Sequence, residues 1–161
     1  MTRWLVLAVL AVPLIAFSRP GGPDGLAVAP GAKDALHQLW AASMAARSER
    51  VACLASVVDG DTLRITGIEP LSAGGDSGAV SAALSLERCG PPGWQGTVHT
   101  HIPLAEGGRA NARFSGADRG VMLMWWQRWK TDGTFCLLYA QDEAHCEIDG
   151  SHVVILPSAR Y

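Results

Sequence analysis

The stretch GTVHTHIPLAEGGRANARFSGAD, residues 96–118, holds two histidines one residue apart and, after a polar interval, a Ser-x-x-Asp. In a β-strand the side chains at i and i+2 leave the same face, so His99 and His101 can aim two imidazoles at one ion while Thr100 turns away. Ser115 and Asp118 are spaced as a helix start: serine suits the N-cap, and the helix dipole favours a carboxylate in the first turn. If that helix end abuts the strand, Asp118 supplies a third ligand. Two imidazoles, one carboxylate and an open position for water make a catalytic rather than a structural zinc arrangement. Taken alone, the same residues also describe two surface histidines beside an ordinary capping box.

The surrounding chain supplies the elements that this site needs. The segment DALHQLWAASMAARSE, residues 34–49, places Leu36, Leu39, Trp40, Ser43 and Met44 at helical spacing on one face, with His37 on the solvated flank. VACLASVVDGDTLRITGIEPL, residues 51–71, is two β-branched apolar runs joined by Asp59-Gly60-Asp61, the composition of an antiparallel hairpin. Residues 79–86 read as a strand or a short helix, residues 94–102 as a strand, and residues 115–130 as a helix with Val121, Met122, Met124, Trp125 and Trp129 packing inward. TFCLLYA is a buried strand, AHCEI a further one and SHVVIL the last. Helices and strands mix with neither an internal repeat nor regular β-α-β alternation, which predicts an α+β fold.

The bounds are consistent with one exported domain. The 161 residues are 48% hydrophobic and 17% charged, long enough and apolar enough to bury a core. Thirteen Lys and Arg against fifteen Asp and Glu give a net charge of −2 with no basic run to neutralise phosphates, which excludes nucleic acid as an expected partner. Residues 1–18 carry Arg3, then an apolar run from Trp4 to Phe17, then the small residues Ala16 and Ser18 at a cleavage-type site. As a helix that run would reach only about two-thirds of a bilayer's hydrocarbon thickness, and Pro13 interrupts it, so a cleaved signal peptide is expected ahead of a membrane anchor through residues 4–17. The expected location is periplasmic or extracellular. RPGGPDGLAVAPGAK, residues 19–33, reads as a Gly/Pro-rich linker, and residues 34–161 as the domain. Cys53, Cys89, Cys136 and Cys146 lack the spacing of a thiolate zinc site. In an oxidising compartment they form two disulfides in one of three connectivities; otherwise Cys53 and Cys136 are buried thiols.

With Glu49 upstream, His99-Thr100-His101 and Ser115-x-x-Asp118 together resemble the signature of the JAMM/MPN (Mov34, JAB-like) metalloprotease family, over about residues 34–150. The order of elements is also similar. The resemblance implies a mixed central β-sheet flanked by helices in the cytidine-deaminase-like arrangement. It implies Zn2+ held by His99, His101 and Asp118, Glu49 as general base, Ser115 as hydrogen-bond donor to the oxyanion, and a peptide or protein substrate cut at an amide or isopeptide bond. Two departures from the family pattern stand out: Ile102 separates His101 from Pro103, and the interval 102–114 is longer. Its small, polar residues read as an extended surface loop, whose length costs little closure entropy. Glu106 and Asn111 in that loop are candidates for substrate contact or for the metal's open position, and Glu69 and Glu87 are substitutes for Glu49.

Two other readings compete. A non-catalytic scaffold of the same fold would also fit the lengthened loop. VVDGDTLRI resembles the acidic strand-turn motif of staphylococcal-nuclease-type enzymes, but the arginine and glutamate of that chemistry do not follow, and a hairpin turn explains the aspartates without a metal. His145 and His152 read as surface or core residues, and the tryptophans of residues 125–129 as helix packing.

Overall fold

A computed structural model of the protein describes residues 21–72, 82–104 and 108–161. The expected export segment, Glu106 and the start of the 79–86 segment lie outside the described residues. The fold is α+β: among the described residues, one mixed eight-stranded sheet is accompanied by three helices. In chain order the elements are β1 (Gly25–Val28), α1 (Pro30–Ala46), β2 (Val51–Asp59), β3 (Thr62–Pro70), α2 (Ala82–Arg88) and β4 (Gly96–Thr100). They continue with α3 (Gly116–Trp129), β5 (Gly133–Ala140), β6 (Glu143–Asp149), β7 (Val154–Ile155) and β8 (Ala159–Arg160). The strand order is β1-β3-β2-β4-β5-β6-β7, with β8 on the free part of β6. β1 runs parallel to β3 and β4 parallel to β5; the other pairs are antiparallel.

Regular structure begins earlier than the linker expected over residues 19–33. Leu26, Ala27 and Val28 pair with Leu63, Arg64 and Ile65, and Pro30 opens α1 in place of Asp34. Proline's fixed φ and missing N–H suit the first helical turn, so the residue that looked like a linker marker is a helix start. The buried stripe of α1 is Ala32, Leu36, Leu39 and Ser43, with Trp40 half-buried against the same core. His37 is not on a solvated flank: its ring packs on Tyr161 with centroids 5.8 Å apart.

Alternation along the strands divides the core into two. Ala52, Leu54, Val98, Cys136 and Leu138 share one cluster with Leu36 and Leu39 of α1. Cys53 and Phe135 share the other with Leu86 of α2 and with Met122 and Trp125 of α3. β5 is apolar and buried almost throughout because it lies inside the sheet with cover on both faces. In α3, Val121 and Trp129 pack at the edge of the second cluster as expected, but Met124 is exposed: it lies two residues beyond Met122, off the buried stripe. The 79–86 segment resolves as helix from Ala82 onward, and the strand ascribed to SHVVIL shrinks to Val154–Ile155, with β8 after it.

All four cysteines pair, Cys53 with Cys89 and Cys136 with Cys146, so the buried-thiol alternative falls. The first disulfide ties the end of α2 to β2, and the second links residues that face each other on β5 and β6. Two glycines are required by space or backbone. Gly60 takes φ +63° at the first position of the two-residue β2–β3 turn. At Gly96 a Cβ would lie 1.7 Å from the Thr134 carbonyl oxygen, so only glycine lets β4 start this close to β5.

Candidate metal centre

β4 lies between β2 and β5, and its last residues set the site. The antiparallel register pairs Val51 with His99, and the pairing continues as the Thr100 N–H donates to the Arg50 carbonyl while the Arg50 N–H donates to the Thr100 side-chain Oγ1. One step further brings Glu49 opposite His101: Glu49 Oε1 is 4.0 Å from His101 Nε2. His101 itself stays attached to β5 through its N–H to the Leu138 carbonyl at 2.9 Å.

The two imidazoles converge as strand alternation requires. Their Nε2 atoms are 3.3 Å apart, and Asp118 reaches both, with Oδ1 3.4 Å from His99 Nε2 and Oδ2 3.7 Å from His101 Nε2. The ligand atoms of His99, His101 and Asp118 all lie within 4.8 Å of one another, close enough to hold a metal ion. His101 is buried and His99 and Asp118 are partly so. Ser115 caps α3 as expected: its Oγ accepts the Asp118 N–H at 3.3 Å, while Asp118 Oδ2 accepts the Ser115 N–H at 2.6 Å. That reciprocal box leaves Asp118 Oδ1 directed at His99 and fixes the carboxylate without a strand of its own.

Loop 102–114 supports the site through its backbone. His101 Nδ1 donates to the Asn111 carbonyl at 2.8 Å, which fixes the tautomer and presents Nε2 towards Asp118. The Asn111 side chain instead accepts the Arg113 N–H, so its carbonyl, not its amide, is what the site uses. Glu69 lies exposed on β3 and Glu87 exposed on α2; of the three glutamates weighed, Glu49 is the one the fold brings to the histidines.

Electrostatics favour a cation here. The hydrogen bond that His101 gives to the Asp118 carboxylate raises His101 above the ordinary imidazole value against the effect of burial, with further help from the Asn111 carbonyl and the Glu49 charge. Burial alone would raise Asp118, but bonds from His101, His99 and Ser115 outweigh it and hold the carboxyl well below the usual carboxylate range. A field that holds a proton between these groups equally favours a metal ion between them. Two imidazole nitrogens and one carboxylate oxygen are a donor set that zinc takes, so the residues present fit a divalent cation.

Thr100, the residue between the histidines, braces the other side of the sheet. It is fully buried; its Oγ1 accepts the Arg50 N–H at 2.9 Å and lies 2.7 Å from Ser43 Oγ. Ser43 gives its own proton to the Ser48 carbonyl at 2.6 Å, so Thr100 donates to Ser43. The end of α1, the turn that carries Glu49, and the histidine strand are thus joined by one chain of bonds.

Arg119, His145 and Glu147 lie beside the site; sequence reasoning places His145 only as a surface or core residue and does not single out Arg119 or Glu147. Glu147 is 1% exposed on β6 and accepts from both terminal nitrogens of Arg119 and, at 2.9 Å, pairs with His145 Nε2. Burial would raise Glu147; the Arg119 and His145 contacts outweigh it and hold the carboxyl low. Phe114 sits between the two groups, its ring 5.7 Å from His99 and 5.6 Å from His145, with the Arg119 guanidinium 5.4 Å above it. Because Arg119 follows Asp118 directly, its anchor on β6 holds the start of α3 against the sheet. The signal was present: Glu143, His145, Glu147 and Asp149 alternate with apolar residues along the strand, which puts four polar side chains on one face.

No protein-family model matches the chain, and no curated protein matches it either.

Thr100→Val keeps shape but strands the Arg50 N–H and breaks the link to Ser43; stability in chemical denaturation should fall by about 2 kcal/mol, while metal binding by His99, His101 and Asp118 persists. Glu147→Gln should show a pH signature. A carboxyl lowered from its ordinary 4.5 contributes stability above that pH and loses it as pH falls through the lower folded value. Wild type should therefore exceed the variant in melting temperature at pH 7, and the gap should close as the solution is taken below that ordinary value.

Proposed function

We propose that the protein is an exported, zinc-dependent hydrolase of the JAMM type that cuts a peptide or isopeptide amide bond. One observation carries this reading: two strand-borne imidazoles, the carboxylate at the head of the following helix and an upstream glutamate meet at one point, with Glu49 Oε1 4.0 Å from His101 Nε2. A structural site would use a fourth protein ligand; here three ligands and a half-exposed glutamate leave room for water and substrate. The mixed sheet with helices on both faces is compatible with the JAB-like fold. Pairing of every cysteine supports an oxidising compartment, in line with an export role for residues 1–18.

His99, His101 and Asp118 would hold the ion. The chemistry a divalent cation supplies when bound is Lewis acidity, which lowers the pKa of water towards about 7 and polarises a carbonyl. Glu49, with a side chain 55% exposed, is free to take a proton at a carboxylate oxygen and to return it to the departing amine. Its opposition to His101 in the strand ladder sets where that transfer occurs. The Ser115 hydroxyl accepts from the Asp118 N–H, which leaves its proton to donate to the developing oxyanion. Arg119, clamped by Glu147, keeps Asp118 and the Ser115 cap of α3 in place.

The scaffold reading keeps the fold without catalysis and draws on the lengthened loop 102–114, and the nuclease reading draws nothing from Asp59-Gly60-Asp61, which makes the β2–β3 hairpin turn. The test is elemental analysis of purified protein with a mixed-sequence fluorogenic peptide pool. We expect about one zinc per chain, lost in His99→Ala and Asp118→Ala. Glu49→Gln should keep the metal while hydrolysis falls by about 10²- to 10⁴-fold. Zinc retained in both ligand variants contradicts the site; bound zinc without hydrolysis by wild type leaves the scaffold; an unchanged rate in Glu49→Gln removes the glutamate's role.

A further inference from the structure

A cavity of about 160 Å³ opens at Glu49, His99 and Asp118 and runs between the sheet and α2–α3. Its charged groups are at the mouth, where Glu49 is 55% and Asp118 21% exposed. Its inner wall is mostly carbon: Met122 and Phe135 are 2% exposed, and Val51, Ala82, Phe114 and Val121 complete the apolar lining among the described residues. Of the two buried hydroxyl residues in the wall, Ser85 already donates to the Ala82 carbonyl at 2.9 Å; Thr97 is the other. Beyond the mouth no Lys, Arg, Asp or Glu among the described residues lines the space.

Protein interiors close-pack and contain few voids larger than a water molecule. A space this size, open to the catalytic groups, is therefore shape that the fold keeps for an occupant. An apolar cavity of about 150 Å³ takes a benzene-sized molecule, which bounds that occupant. A charged side chain inside would lie among Met122, Phe135 and Val121 with no partner, a costly desolvation. A glycine would leave the space empty.

We propose that this cavity is a side-chain pocket that selects a branched aliphatic or single-ring aromatic residue next to the scissile amide. The assignment rests on the hydrolase reading for its use in catalysis, but the pocket itself is testable without catalysis. Apolar contact with the pocket would seat the substrate so that its amide lies over Glu49, His99 and Asp118, and specificity would come from burial at the pocket rather than from charge.

The experiment has a binding arm and a rate arm on the zinc-treated full chain. In the first, N-acetyl-leucinamide, N-acetyl-phenylalaninamide, N-acetylglycinamide and N-acetyl-aspartamide are titrated while the Met122 methyl resonance is followed. The leucine and phenylalanine probes should shift it saturably and bind about 10- to 100-fold more tightly than the glycine and aspartate probes. Val121→Phe, which fills the space, should weaken the leucine probe by about tenfold or more; Ser85→Leu serves as a second filling variant, and a cooperative thermal transition shows that each variant is folded. Equal binding of leucine and glycine probes, or leucine binding unchanged in both folded variants, overturns the pocket. In the second arm, matched peptides with leucine or glycine at the cut should differ in kcat/KM in the same direction. Hydrolysis indifferent to that residue overturns the pocket and leaves the hydrolase standing; selective binding without hydrolysis supports the pocket and brings down the hydrolase reading instead.

Discussion

The pairing of Val51 with His99 is the constraint on which the site depends. In an antiparallel ladder one register fixes every later pair, so this single alignment puts Glu49 across from His101 and turns Thr100 into the buried core on the opposite face. A slip of one residue would send both imidazoles to the α1 side and Thr100 to the α2–α3 side. The register is held at several points: Gly96 permits the close approach to β5, the Thr100–Arg50 exchange closes the ladder, and Ser43 ties it to α1.

The third ligand comes from a different kind of order. Asp118 is placed by a helix cap, and a cap alone fixes only the first turn of a helix, not where the helix lies. The location comes from two anchors at the α3 end of the second core: Arg119 on buried Glu147, and Met122 with Trp125 against Phe135. The Arg119–Glu147 pair is worth more as a positioning device than as a source of stability, since burial of charges offsets much of their attraction. The disulfides act on the chain instead. Closing a separation of 36 residues between Cys53 and Cys89 restricts the unfolded state by about 4 kcal/mol, the larger of the two effects. That bond keeps α2, one wall of the cavity, on β2.

Much of this was legible in the residues. Alternation placed His99 and His101 on one face, Ser-x-x-Asp gave a capped helix, and Asp59-Gly60-Asp61 gave the hairpin, because each is a local rule with a fixed period or turn chemistry. What escaped depends on distant partners. Gly25–Val28 looked like linker because its three apolar residues gain meaning only beside β3. Glu147 was overlooked because a carboxylate in a strand is ordinary until an arginine 28 residues earlier is found against it. The cysteine connectivity was open among three choices because sequence carries no register between β5 and β6. Met124 was misplaced because methionines at 122 and 124 look alike in composition and differ only in which side of α3 they occupy.

The central claim is that His99, His101 and Asp118 grip one cation together. Zinc-edge X-ray absorption of the protein loaded with one equivalent of zinc reads the ligand atoms directly. The account predicts a nitrogen and oxygen shell at about 2.0 Å, with the outer-shell scattering of two imidazoles and no sulfur. A shell containing sulfur, or one without imidazole scattering, would contradict it.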